Sequence, residues 1–225
     1  MTIKKALQES TISRLENRKM DNPFKVYKPL DRGNDKLDSS ILSFSLVPVN
    51  TCNGACKGCY DLKSFRYESV CLKRKYNLHM VINEIDKLKF LIIKQIKNSR
   101  TVKAVRIHVG GDFNLGQYTD QYLTMWESIV YVIKNIYKLD IAFYTYTKTD
   151  KTETLKDMGI NVVRSIREDL HFNYDKLENL LDYQSKNPKW IICPAYKANP
   201  DYENVICGKT CTACQTIDRI MFVMH

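Results

Sequence analysis

Short apolar runs alternate with helix-period stripes over most of the chain, and the first of those runs ends in a cluster of three cysteines. The runs at 41–47, 102–109, 139–147, 160–166, 190–193 and 219–224 are too short for helices and read as strands. Between the first two, Val81, Ile85, Leu88, Ile92 and Ile96 recur by fours and threes, so a helix is predicted across 67–98. Tyr122, Trp126, Ile129, Ile133 and Ile136 repeat that stripe. Shorter helices are predicted near 152–158 and, from Tyr174, Leu177 and Leu181, over 173–184. Strands alternating with helices demand right-handed crossovers and a parallel sheet. The fold class is therefore α/β. A closed eightfold barrel typically needs about 250 residues, so six strands here predict an open, partial (β/α)6 barrel over 41–225. Residues 1–40 read as a short N-terminal extension. It holds a polar helical candidate at 3–18 and turn chemistry at Asn22-Pro23 and Asp31-Arg32-Gly33-Asn34-Asp35.

A parallel strand covered on both faces should be apolar on both. Several of these are not. Val105, Ile107 and Val109 oppose Arg106 and His108; Ile141 and Phe143 oppose Tyr144 and Tyr146; Leu42, Phe44 and Leu46 oppose Ser43 and Ser45. The apolar faces suit outer helices. The polar faces predict a lumen, with Arg106, His108, Tyr144 and Tyr146 as candidate substrate contacts, although His108 would serve equally as a satisfied core histidine.

The eight cysteines fall into three groups: Cys52, Cys56 and Cys59; Cys71 alone; and Cys193, Cys207, Cys211 and Cys214. The first group is spaced C-x3-C-x2-C, with Gly54 and Gly58 easing a tight wrap. Three thiolates from one loop can hold three irons of a [4Fe–4S] cube and leave the fourth iron open. A structural zinc would want a fourth ligand close by, and the next histidine is His79. Ligands of a parallel α/β fold gather at the carboxyl ends of strands. Cys52, Cys56 and Cys59 follow the first strand and Gly110-Gly111-Asp112 follows the second, so both fall on one face. A Gly-Gly pair admits a close backbone approach, and Asp112 offers a charge suited to an ammonium group. The four later cysteines, in a loop spanning 193–214, lie between the fifth and sixth strands and are expected on or near that same face. They satisfy either a second [4Fe–4S] cluster or a tetrahedral zinc. Cys71 lies in a helical pattern and reads as a passive thiol.

The three-cysteine loop after a first strand, with a Gly-Gly-acid turn after the second, resembles the radical S-adenosylmethionine (SAM) superfamily. The resemblance implies a partial barrel with a catalytic [4Fe–4S] cluster on Cys52, Cys56 and Cys59. It further implies that Gly110, Gly111 and Asp112 hold the amino group of SAM, and that Arg164, Ser165 and Arg167 reach its carboxylate or ribose. The superfamily usually carries an aromatic residue just before the third cysteine. Gly58 stands there in this chain and Tyr60 follows, so Tyr60 is the candidate adenine contact. Cys193, Cys207, Cys211 and Cys214 are similar to the auxiliary clusters of peptide-acting members. The run GNDKLDSSILSFSLVPVNTCNGACKGCYDLKSFR, with HVGGDFN and VVRSIRED, also resembles a small phage-borne family of radical-SAM-like proteins over about 33–225. The implied activity is reductive cleavage of SAM to a 5′-deoxyadenosyl radical that abstracts hydrogen from a substrate. An electron donor is the implied partner.

Composition narrows the rest. With 225 residues, 44% hydrophobic and 27% charged, the chain suits one soluble domain. No apolar stretch approaches the ~18 residues of a membrane span, and the N-terminus lacks the continuous apolar core of a secretory signal. The expectation is a cytoplasmic protein with reduced thiols and no membrane partner. A net charge of +10 would attract nucleic acid, whereas the auxiliary cysteines favour a peptide or protein substrate. The lysines are scattered, with no block of like charge, so the charge decides little. Two other readings stay open: a basic, zinc-stapled nucleic-acid-binding protein, and a two-cluster electron carrier.

Overall fold

In the computed structural model, which describes residues 27–34, 37–52, 59–164, 177–194, 205–217 and 220–221, five strands pair into one sheet. They run in chain order: β1 (Asp31–Asn34), β2 (Leu37–Phe44), β3 (Ala104–Ile107), β4 (Ala142–Thr147) and β5 (Asn161–Arg164). β2 to β5 are mutually parallel, and Ser43, Arg106, Tyr144 and Asn161 form one row across them. The parallel order follows from what lies between the strands. Helices α1 (Glu68–Asn83) and α2 (Ile85–Lys97) separate β2 from β3, α3 (Thr119–Tyr131) separates β3 from β4, and α4 (Thr152–Asp157) separates β4 from β5. The class is α/β, as the alternation predicts. After α5 (Leu177–Lys186), β6 (Ile191–Ile192) and β7 (Ile220–Met221) form a separate parallel pair.

One face of the sheet carries the core. Leu42, Phe44, Val105, Ile107, Phe143 and Val162 point from the strands into a cluster shared with Leu88, Ile92, Tyr122, Trp126 and Ile129 of the helices. Burial of each such side chain stabilises by roughly 1.5–3 kcal/mol. The opposite face has a different cover: Ile41, Ala104 and Tyr144 pack against Cys207 and Cys214, and Val163 packs with Cys193.

Three elements depart from expectation. The stripe at 67–98 is two helices, not one. Glu84 leaves the helical region (φ −140°, ψ 44°), while hydrogen bonds from its N–H to the Met80 carbonyl and from the Leu88 N–H to its own carbonyl hold either side of the kink. Asp31–Asn34, assigned to the extension by its turn chemistry, is an antiparallel edge strand on β2. Leu30 just before it is buried, with its N–H and carbonyl both bonded to the Gln95 side chain of α2 (3.0 and 2.8 Å). The helix over 173–184 is observed as Leu177–Lys186, and 173–176 lie outside the described residues, as does the candidate at 3–18. No helix among the described residues is long and apolar enough to cross a membrane.

Candidate functional site

The three-cysteine segment begins where β2 runs out. β2 stays paired beyond its last residue: the Val109 N–H donates to the Phe44 carbonyl (3.0 Å), and the Leu46 N–H donates to the Gly110 carbonyl (2.8 Å). Thr51, fully buried, then ties the segment to the turn after β3. Its hydroxyl donates to the Val47 carbonyl (2.8 Å) and accepts from the Asp112 N–H (3.2 Å), and its carbonyl accepts from the Asn114 N–H (3.1 Å). The Asn114 side chain reaches the Cys52 carbonyl (3.4 Å). Cys52 and the Gly110-Gly111-Asp112 turn are thus brought together at the strand ends.

The other end of the segment is held by a buried ion pair. Cys59 precedes a 3-10 helix, Tyr60–Arg66, in which the Asp61 carboxylate pairs with Arg74 of α1. Both side chains are under 10% exposed, at 6% and 9%, so the charges need each other. Arg74 also donates to the Ser64 hydroxyl (2.9 Å). Cys56 lies outside the described residues, as do Ser165 and Arg167.

The two glycines of the turn are filled in by protein. A Cβ at Gly110 would lie 2.6 Å from Asp61 Cγ and 3.0 Å from Arg74 Nη1. Gly111 adopts φ +82°, a conformation that favours glycine, and a Cβ there would sit 2.6 Å from Thr51 Oγ1. Asp112 is buried as well. Its carboxylate accepts from the Thr147 hydroxyl (2.5 Å), the Lys148 N–H (3.0 Å) and the Phe113 N–H (2.9 Å), clamping the end of β3 to the end of β4. Burial raises its pKa, and these three donors pull the other way.

Beside this turn opens a polar cleft of about 330 Å³, lined by Phe113, Asn114, Thr119, Asp120, Thr149, Asp150 and Lys151. Its residues were not singled out in the sequence. The available signal was the polar run Thr149-Asp150-Lys151 directly after a strand, the position where ligands gather in parallel sheets.

His108 does not join Arg106 on the polar face. Its φ of +61° reverses the strand alternation and turns the ring into the helix-packed core. There it bonds the Tyr122 hydroxyl through Nε2 (2.7 Å) and meets Phe113 edge-on. Complete burial lowers its pKa to about 3.

Arg106, Tyr144 and Tyr146 do share the polar face, with the guanidinium 4.3 Å from the Tyr146 ring centroid. What they face is the second cysteine set. Cys207 bridges to Leu37 at the start of β2, where its carbonyl accepts from the Asp38 N–H (2.9 Å). The Asn161 side chain bonds the Cys214 carbonyl (2.9 Å), and the Tyr146 hydroxyl donates to the Cys214 thiol. The expectation that this set would lie near the strand ends does not extend to Cys207, which sits at the amino end of β2, whereas Cys193 and Cys214 sit beside Val163 and Tyr146 toward the carboxyl ends of β5 and β4. The reason is a backbone bridge to β2 that no local pattern announces. Burial pushes the Cys214 thiol up to about 12, and Cys193, Cys207 and Cys211 push the same way. Among the described residues no group of three or more His, Cys, Asp or Glu stands in a ready-made metal shell. Cys71 is partly buried on α1.

No curated protein and no solved structure matches the chain. A family model does, described as Gene product 88, over residues 12–219. That span takes in β1 to β5, both cysteine sets and the Gly110-Gly111-Asp112 turn, and the chain belongs to the Gene product 88 family.

Proposed function

We propose that the chain is a radical SAM enzyme on an open, partial (β/α)6 barrel, with a [4Fe–4S] cluster on Cys52, Cys56 and Cys59. One relationship supports this above the others: Thr51 and Asn114 hydrogen-bond the start of the cysteine segment to the 110–114 turn at the carboxyl ends of parallel strands. The donor set fits the group, since thiolates suit iron and one short segment supplies three of them. When bound, the cluster would supply the electron that cleaves the C5′–S bond of SAM, releasing methionine and a 5′-deoxyadenosyl radical.

The protein's part is to bind and orient. Thr51 and Asn114 hold one end of the segment, and the Asp61–Arg74 pair holds the other. Asp112, already committed to Thr147 and Lys148, fixes the turn, which leaves backbone atoms to receive the ammonium group. Tyr60 serves the adenine, and Ser165 and Arg167 serve the carboxylate and ribose. Asn114, Thr149, Asp150 and Lys151 give the adjoining cleft amide, hydroxyl and charged partners for a substrate, which we take to be a peptide or protein. A reducing partner is required.

The test is anaerobic reconstitution with iron and sulfide, then SAM and a reductant, with 5′-deoxyadenosine assayed. The parent should form it, and Cys56→Ala should form none while keeping the metal of the second cysteine set. Zinc at both sets without any cleavage would replace this reading with a zinc-stapled binding protein.

A further inference from the structure

We infer that the amino-end rim of the sheet, where α2 and α3 run out, is a docking surface for single-stranded nucleic acid, with cations for the phosphates and exposed rings for the bases. Along the chain the cations look scattered; the fold collects them. No Asp or Glu lies between Asp86 and Asp112, and Lys94, Lys97, Arg100 and Lys103 recur there at every third position. Lys94 and Lys97 sit on the last turn of α2, and Arg100 and Lys103 follow in its connection to β3. α3 continues as one π turn, Val132–Ile136, and leads into the next connection at Tyr137 and Lys138. β3 and β4 are paired, so the two connections are neighbours. The Ala142 N–H donates to the Lys103 carbonyl (3.0 Å), and Lys97 Nζ stands 4.4 Å from the Tyr137 ring centroid. From β1, Arg32 donates to the Thr101 hydroxyl (3.3 Å) and adds its charge to the same rim.

These cations are not neutralised. All are exposed, and among the described residues none is ion-paired. Lys87 and Lys89, at the head of the same helix, pair with Glu84 and Asp86. The two connections hold one carboxylate, Asp140, against Arg100, Lys103 and Lys138. The helix dipole accounts for cations on the last turn of α2, but Arg100, Lys103 and Lys138 lie beyond the helices. Rings complete the chemistry. Phe90, one turn before Lys94, is 62% exposed, and Tyr137 is 37% exposed. Lys94 lies 5.9 Å from the Phe90 centroid, much as Lys97 lies over Tyr137. Exposed rings beside free positive charge match a single strand, whose bases stack on aromatic faces while its phosphates take the cations. A duplex keeps its bases stacked on each other, and an acidic protein would use the cations without the rings. The rim stands at the opposite end of the strands from the cysteine segment, so its test needs neither iron nor SAM.

Fluorescence anisotropy of a labelled oligothymidylate, titrated with the full chain, should give a Kd of about 1–100 µM at physiological salt. Lys97→Gln with Lys103→Gln should weaken it about 10–30-fold at ~0.1 M salt and reduce the slope of log Kd against log salt by about 1.4. Lys87→Gln with Lys89→Gln removes the same charge from α2 and should keep the parent's affinity. Tyr137→Leu keeps an apolar side chain without a ring and should cost about 5–100-fold. Circular dichroism confirms that each variant is folded. No binding by the parent, equal losses in the two lysine pairs, or parent affinity in Tyr137→Leu would overturn the inference. So would displacement of the oligonucleotide by polyglutamate at equal charge, which would assign the rim to an acidic protein instead.

Discussion

The Asp61 carboxyl sits directly on Gly110: a Cβ at residue 110 would come within 2.6 Å of Asp61 Cγ. The residue two places after Cys59 is thereby seated on the turn that follows β3, and the cysteine segment cannot shift without disturbing both.

Gly110→Ala should therefore destabilise the fold by about 1–3 kcal/mol, as overpacking of a filled site does. Thermal unfolding measures it. A melting temperature equal to the parent's would mean that Asp61 does not press on the turn.

Breaking the Asp61–Arg74 pair should cost more. Arg74→Met leaves a carboxylate buried without its partner, a loss of about 3–5 kcal/mol. Adding Asp61→Asn to Arg74→Met should recover part of it, because the stranded charge is gone. Denaturant melts of the two single variants and the double variant give the coupling. Simple additivity would deny that the two residues act as a pair.

His108 predicts an acid dependence of stability. Its folded pKa, about 3, lies below the ordinary 6.5, so the unfolded chain binds a proton that the folded one refuses. The contribution is whole above pH 6.5 and falls as pH drops toward 3, by up to about 1.4 kcal/mol per pH unit. His108→Gln should flatten that slope relative to the parent. An identical slope in the two proteins would place the titration elsewhere.

Thr147→Val removes the hydroxyl that donates to Asp112. With the carboxyl ionised, the cost should be about 1.5–3 kcal/mol. It should shrink in acid, where a neutral carboxyl has less to lose. The Asp112 pKa, already raised by burial, should rise further in this variant, which can be followed by NMR titration of the carboxyl carbon.

The sequence exposed the order of strands and helices because periods of two and of about 3.6 residues are local properties. It also exposed the meeting of Cys52 with the Gly-Gly-Asp turn, because both follow parallel strands. What it hid depends on partners distant in sequence. Arg74 stands in a helical stretch with nothing to mark it as the mate of Asp61. Asp112 reads as a free acid until Thr147 is brought to it. Strand alternation put His108 beside Arg106, and it fails there because one left-handed residue reverses the facing. The polar row of Arg106, Tyr144 and Tyr146 was legible as a row. Its cover was not, since residues 205–217 reach β2 through backbone bonds that any side chain could accompany.

That crossing has a bearing on how the protein is made. β2 leaves the ribosome long before Cys207, and Asn161 waits for Cys214 in the same way. Until then Ile41, Ala104 and Val163 lie bare on a nascent sheet, the kind of surface on which chains aggregate. Synthesis thus includes an interval in which folding is half complete, and chaperone demand should peak in that interval and fall once residues 205–217 have docked.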